Sequence, residues 1–160
     1  MEALGFLVVL IGGLWLWSTL KDSNTKDAQF HEYLQKIENC KYLHHYKRTA
    51  IAVDPKQQKL HLYADENGKT YDFSDVREWK YAYLTGGQIL GAAPNLASAA
   101  QTIGANNHNH RNNVNGSGLF IEVRDIDHPK WHIQFQYNKH MEKELLRWME
   151  ILRQSINESN

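Results

Sequence analysis

The sequence predicts an α+β protein in which one N-terminal transmembrane helix precedes a domain of short antiparallel strands and a C-terminal amphipathic helix. Three observations lead to this prediction. Residues 3–20 are apolar and carry no charge, while several stretches between residues 49 and 135 alternate apolar and polar side chains. Residues 141–156 repeat apolar side chains at spacings of three and four, which is typical of a helix with one buried face. We therefore expect a bent antiparallel sheet, or partial barrel, closed by the last helix.

The apolar run predicts a membrane anchor at residues 1–21. A helix over residues 3–20 would be roughly 27 Å long, enough to cross a hydrocarbon core of about 30 Å. Trp15 and Trp17 lie near its end, where indole rings favour the membrane interface, and Lys21 follows them. A cleaved signal peptide and a buried core helix are the alternatives. The first would need a basic start and a small-residue cleavage site, and the second would show a polar stripe.

Charge and cysteine content predict the side of the membrane on which the domain lies. No Lys or Arg precedes the apolar run, whereas Lys21 and Lys26 follow it, so the positive-inside rule places the domain in the cytoplasm. Cys40 is the only cysteine and no intramolecular disulfide can form, which favours a reducing compartment. We expect a single-pass protein of the inner (cytoplasmic) membrane. The balance of 18 basic and 18 acidic side chains argues against nucleic acid as a partner.

Residues 22–45 are interpreted as a linker followed by an amphipathic helix. The helical pattern begins near residue 25 and ends near residue 40. Its apolar positions are Phe30, Tyr33, Leu34 and Ile37, at spacings of three and four.

Residues 46–158 are predicted to form the folded domain, with six strands and the final helix. The expected strands cover residues 49–53, 60–64, 71–73, 76–84, 119–123 and 131–135. The segment Asp-Glu-Asn-Gly at residues 65–68 predicts a hairpin turn, because Asn-Gly accepts a positive φ. An insert at about residues 85–117 is expected to be a mobile loop, since its second half is polar, rich in Asn and low in complexity.

The order of these elements over residues 46–156, together with the segment Tyr-Asp-Phe-Ser-Asp-Val at residues 71–76, resembles the pleckstrin-homology-like superfold. Six strands are visible where that fold usually has seven. The chain is also similar to a bacterial family of unknown function that is anchored in the membrane by its N-terminus, with residues 48–54 and 75–79 as the characteristic stretches. This resemblance implies a fold and a location, and it implies no activity.

The candidate catalytic and metal-binding residues do not form a pattern that predicts chemistry. Cys40 stands close in sequence to His44 and His45, but a cysteine nucleophile also needs an orienting group and an oxyanion site. His108 and His110 lack the second pair of ligands that a structural zinc site requires. We therefore expect no enzyme activity, no cofactor, no bound metal and no small-molecule substrate.

Two sets of residues are candidates for binding. Lys56 and Lys59 flank the first hairpin turn, which carries the headgroup-binding basic residues in lipid-binding pleckstrin-homology domains. Trp79, Tyr81 and Tyr83 share one face of a strand and are expected in the core. If that strand lies at a sheet edge, they could instead line pockets for a peptide that adds as a further strand.

The sequence thus favours a non-enzymatic, membrane-tethered interaction module that binds a protein partner on the cytoplasmic face. Two alternatives remain open at this point. One is a peripheral sensor of anionic lipid. The other is a small immunity or exclusion factor that acts on another membrane protein.

Overall fold

The computed structural model describes residues 24–86 and 108–157, which divide into two compact units between Asn39 and Cys40. The predicted anchor, residues 1–21, lies outside the described residues. Within the two described ranges, no helix combines the length and the apolar character needed to span a membrane.

The first unit contributes helix α1, residues 24–37. Phe30 and Ile37 are buried and lie seven residues apart, so they occupy the same face of the helix. On the exposed surface the Lys36 ammonium lies 2.9 Å from the Glu32 carboxylate, one helical turn away. The helix follows the apolar pattern that predicted it.

The second unit is a mixed α+β fold with two antiparallel sheets, which confirms the predicted class. The first sheet contains four strands in chain order: β1 (Tyr42–Tyr46), β2 (Thr49–Asp54), β3 (Lys59–Ala64) and β4 (Asn67–Asp72). A single 3₁₀ turn, Phe73–Asp75, leads into the second sheet, whose strands are β5 (Val76–Ala82), β6 (Gly118–Val123) and β7 (Lys130–Ile133). Helix α2 covers residues 108–116, and helix α3, Met141–Leu152, continues into a π-helical turn at Arg153–Asn157.

Both sheets and helix α3 contribute side chains to one hydrophobic core. Leu145, Trp148 and Leu152 of α3 belong to the same buried cluster as Leu62 of the first sheet and Ile121 of the second. Their positions agree with the apolar face predicted for the last helix. The helix begins after a turn in which the Asn138 side chain accepts a hydrogen bond from the backbone of His140, 2.8 Å away.

Strand β1 corrects the prediction that residues 22–45 contain only a linker and a helix. Residues 42–46 pair with β2 from Tyr42 opposite Val53 to Tyr46 opposite Thr49. The prediction failed because every side chain of β1 is at least partly accessible, so the strand shows no apolar alternation. With β1, the described residues contain seven strands.

The hairpin turn predicted at residues 65–68 is present between β3 and β4, but its positive φ angles do not fall on Asn67-Gly68. Asn67 and Gly68 already pair with Ala64 and Tyr63. The residues with positive φ are Asp65, at 50°, and Glu66, at 65°. Asp tolerates this conformation better than most residues, whereas Glu usually avoids it. The sequence therefore did not indicate a positive φ at Glu66.

The expected irregular loop at residues 85–117 contains helix α2 at residues 108–116. Residues 87–107 lie outside the described residues. The helix is largely exposed, but Ser117, which follows it, is completely buried. The backbone of this segment makes its hydrogen bonds within a helix. The sequence did not predict this helix, because its composition provides little apolar surface to pack.

Candidate functional site

Strand β5 carries Trp79 and Tyr81 of the aromatic row that the sequence singled out, and Tyr83 directly follows its last residue, Ala82. Trp79, Tyr81 and Tyr83 are each half-buried and pack against the hydrophobic core, while Arg77 and Lys80 are exposed. The aromatic row therefore packs against the core and is not part of its buried cluster. Part of each ring nevertheless remains accessible along the strand.

The same strand lies at the edge of its sheet. Among the described strands β5 pairs only with β6, in a register that sets Trp79 opposite Ile121 and Tyr81 opposite Leu119. A bulge interrupts this pairing between Val76 and Glu78. An edge strand presents backbone N–H and C=O groups that can pair with another chain, so this edge offers a template for strand addition.

The C-terminal end of β5 is fastened by hydrogen bonds to the segments beside it. The Leu84 backbone N–H donates to the Ser117 hydroxyl, at 2.9 Å, and the Tyr137 hydroxyl donates to the Leu84 carbonyl, at 2.8 Å. The rings of Tyr83 and Tyr137 are 5.8 Å apart. These contacts fix the position of the strand end and limit its freedom to shift along β6.

The two lysines proposed as lipid ligands have different surroundings. The Lys59 ammonium lies 2.6 Å from the Asp72 carboxylate on the neighbouring strand. Lys56 is exposed in the turn between β2 and β3, where its backbone N–H donates to the Asp54 carboxylate at 2.9 Å. Only Lys56, of the two, is left without a carboxylate partner in the described part of the chain.

Cys40 and the neighbouring histidines do not form a reactive pair. Burial, followed by the negative charge of Asp54, raises the pKa of the Cys40 thiol, which lowers its thiolate fraction at neutral pH. The His44 ring stacks on Phe135, with centroids 3.8 Å apart, and its Nε2 donates to the Gln134 carbonyl at 3.0 Å. The imidazole is therefore committed to contacts with the segment that follows β7.

The histidines of the insert, His108 and His110, both lie on helix α2. The His110 ring contacts the edge of Tyr137, with centroids 5.5 Å apart. Over residues 24–86 and 108–157 no three His, Cys, Asp or Glu side chains come together as a metal site would require.

A polar cluster that the sequence did not indicate surrounds Asp125. Its Oδ2 accepts hydrogen bonds from the Lys69 ammonium and from the Tyr71 hydroxyl, each at 2.7 Å. Its Oδ1 accepts from the backbone N–H groups of Asp127, at 2.9 Å, and His128, at 3.2 Å. These bonds, led by the one from Lys69, hold the pKa of Asp125 well below its usual range.

This carboxylate joins the first sheet to the turn between β6 and β7. Burial, and then the bond to Asp125, raises the pKa of Tyr71 above its usual range, so the hydroxyl remains a proton donor. The partners of Asp125 lie 54 and 56 residues away along the chain, and no local sequence pattern could have brought them together.

Fold and surfaces together define a small α+β domain packed on a C-terminal amphipathic helix, in which no second described strand pairs with β5. The chain belongs to the family described as a domain of unknown function, DUF4755, whose model matches residues 41–159. The matched region begins at β1 and includes every later described element, and the expectation of a family of unknown function is confirmed. Comparison with curated proteins and with solved structures found no match to this chain.

Proposed function

We propose that this chain is a non-enzymatic interaction module that binds an extended segment of a protein partner along strand β5. In this proposal residues 1–21 tether the domain to the inner membrane of a bacterium, with the domain on the cytoplasmic face. The single observation that carries the binding proposal is the edge of β5 that pairs with no described strand, beside half-accessible aromatic side chains.

Strand addition fits the physical properties of this edge. A partner strand would satisfy the backbone groups that β5 does not use in pairing with β6, which supplies affinity without a special sequence. The accessible parts of Trp79, Tyr81 and Tyr83 would then contact alternate side chains of the added strand. Because aromatic side chains dominate the energetics of many interfaces, these three residues are the expected source of specificity.

The pleckstrin-homology-like topology belongs to the same proposal. Seven described strands divided four and three, followed by a helix whose Leu145 and Trp148 are buried in the common core, support it. One fold serves many functions, so this topology by itself does not specify binding. The edge of β5 therefore carries the proposal and the fold only agrees with it.

Site-specific photo-crosslinking in cells tests the binding site. A photoreactive phenylalanine analogue at position 80, on β5, is expected to give one discrete adduct with a protein. The matched control is the same analogue at position 130, because Lys80 and Lys130 are both exposed lysines on the two edge strands of one sheet. Equal adducts at both positions, or none at position 80, would contradict binding along β5.

The tether is supported by the uncharged run at residues 3–20 and by the lysines that follow it. Deleting residues 1–21 is expected to release the chain from the membrane fraction. A reporter fused after Asn160 should be active only in the cytoplasm. Persistent pelleting after a high-salt wash would exclude the anchor, and a reporter active outside the cytoplasm would reverse the orientation.

The lipid-sensor alternative rests on Lys56 and Lys59, and the ion pair between Lys59 and Asp72 weakens it. Two lysines, one of them paired, give little electrostatic attraction to anionic lipid, which is worth about 1 kcal/mol for each basic residue near the surface. An adduct with an integral membrane protein at position 80 would instead favour an immunity or exclusion factor.

A further inference from the structure

A concave site lies between helix α3 and strand β1. It is a cavity of about 230 Å³. Its lining includes Lys41, Tyr42 and His44 from the β1 side and Glu144, Arg147 and Trp148 from the helix. No residue of β5 lines this cavity, so a ligand bound here would be independent of a partner bound along β5.

The inner part of the cavity is aromatic and fixed in place. Trp148 is buried, with only 5% of its surface exposed, and its ring meets the edge of His44 at a centroid distance of 6.2 Å. Because the Gln134 carbonyl can only accept, the His44 Nε2 that lies 3.0 Å from it must carry the hydrogen. Burial lowers the pKa of His44, so the ring is neutral at physiological pH and adds no charge to the site.

The rim carries charge that the protein itself does not neutralise. Neither Lys41 nor Arg147 has a carboxylate within ion-pair distance among the described residues, and the Lys41 ammonium lies 5.0 Å from the centre of the Tyr42 ring. Glu144 is the one acidic side chain of the lining. With two cations and one carboxylate, the lining carries a single net positive charge.

Size and charge together define the class of ligand. An apolar cavity of about 150 Å³ can hold benzene, so this larger space accommodates a ring-sized group together with an ionic head. A guanidinium and an ammonium suit an oxyanion, and a single net charge matches a monoanion better than a phosphate dianion.

We propose that this cavity binds a carboxylate carried on a compact apolar group, with Arg147 and Lys41 holding the carboxylate and Trp148 contacting the apolar group. Such a ligand is either a free aromatic or branched aliphatic acid or the C-terminal residue of a protein. Both sources present the same chemistry to the cavity. Glu144 disfavours the bound anion and thereby limits the affinity.

Binding of 3-phenylpropionate to the full-length chain tests the proposal, measured by ligand-observed NMR. The neutral probe is 3-phenylpropionamide, which has nearly the same shape without the charge. We expect saturable binding of the acid and none of the amide. Since a hydrogen bond to a charged group contributes about 1.5–3 kcal/mol, Arg147→Gln should weaken binding roughly tenfold or more. Glu144→Gln should strengthen it, because it removes the opposing charge.

Lys143→Gln is the matched control. Lys143 is an exposed cation on the same helix outside the cavity lining, so its loss changes the net charge equally and should leave the affinity unchanged. Unchanged thermal unfolding of each variant shows that the fold is retained. Equal binding of acid and amide, or equal weakening by Lys143→Gln and Arg147→Gln, would overturn the proposal.

A second pair of probes separates the two sources of ligand. An N-acetyl tripeptide that ends in phenylalanine is compared with its C-terminal amide. Tighter binding of the free-acid peptide than of 3-phenylpropionate identifies a protein C-terminus as the ligand. Binding of 3-phenylpropionate alone identifies a free acid. Binding of neither compound would refute the carboxylate site.

Discussion

The charged side chains beside the two edge strands of the first sheet, β4 and β1, differ in whether the protein supplies their partners. Beside β4, Asp125 receives four hydrogen bonds, from Lys69, Tyr71 and two backbone N–H groups. In the cavity beside β1, Lys41 and Arg147 find no carboxylate partner among the described residues. The carboxylate of Asp125 is bonded within the fold, whereas the charges of Lys41 and Arg147 remain able to pair with a ligand.

This difference separates charges that stabilise the fold from charges that can recognise a ligand. A group whose hydrogen bonds are all made within the protein has little left to offer a partner, and removing one member leaves the others unsatisfied. A solvated charge without a partner contributes little to folding but can pair with a ligand. Stability should therefore depend on Asp125 and its donors, and ligand binding on the rim of the cavity.

The largest effect is expected from the apolar wall of the cavity. Trp148 is buried and contributes to the common core, so Trp148→Ala should lower the free energy of unfolding by about 3–5 kcal/mol. Such a loss is a large share of the roughly 5–15 kcal/mol that stabilises a typical domain. Urea unfolding followed by far-UV circular dichroism measures it. A change below about 1 kcal/mol would mean that α3 does not pack on the core.

A smaller but clear loss is expected when Asp125 loses one donor. Tyr71→Phe keeps the buried ring and removes only the hydroxyl that lies 2.7 Å from Asp125. Since a hydrogen bond to a charged group contributes about 1.5–3 kcal/mol, the free energy of unfolding should fall by a similar amount. The control is Lys59→Gln, which removes an exposed ion pair and should lower stability by at most about 1 kcal/mol. Equal effects of the two variants would remove the distinction between closed and exposed charges.

His44 and Asp125 should lose their contributions to the free energy of unfolding in different pH ranges. Burial lowers the pKa of His44 in the folded state, and His45 acts in the same direction while Glu144 opposes it. The contribution of His44 to the free energy of unfolding is therefore present above about pH 6.5. That contribution is lost as the pH falls below this value, because the unfolded chain then binds the proton more readily. Asp125 also has a lowered pKa, and its contribution is lost only below about pH 4.

Urea unfolding between pH 8 and pH 3 distinguishes these contributions. His44→Gln should reduce the loss of stability between pH 6.5 and pH 5 and leave the loss below pH 4 in place. Asp125→Asn should have the opposite pattern. An unchanged slope between pH 6.5 and pH 5 in His44→Gln would show that His44 does not titrate with folding.

Sequence periodicity predicted the elements that bury an apolar face. Helix α3 followed its pattern because Leu145 and Leu152 are completely buried, so the repeat of apolar residues directly reflects packing. Strand β2 is buried on both faces, from Thr49 to Val53, so its alternation located the strand but not its buried face. Strand β1 escaped prediction because each of its side chains is at least partly accessible, and because its inward residues include His44, whose ring stacks on Phe135. A polar residue that packs against a distant aromatic partner leaves no local signal.

The sites were less predictable than the fold, for the same reason. The row at Trp79, Tyr81 and Tyr83 was visible because its spacing is local to one strand. The Asp125 cluster and the cavity each combine residues from strands or helices that are far apart in sequence, such as Lys41 and Arg147. Alternation and spacing describe one element at a time, whereas these groups exist only after the elements have packed.

The smallest expected effect on stability comes from Arg147. It is exposed, it has no carboxylate partner among the described residues, and it stands one position before Trp148, so the two side chains share a local backbone and differ in burial. Arg147→Ala should change the free energy of unfolding by less than about 0.5 kcal/mol, while 3-phenylpropionate binding is lost. Parallel measurement of unfolding and binding on the same preparation tests this. If Arg147→Ala instead unfolded as readily as Trp148→Ala, the guanidinium would be part of the packing of α3, and the cavity rim would stabilise the fold in the way that Asp125 does.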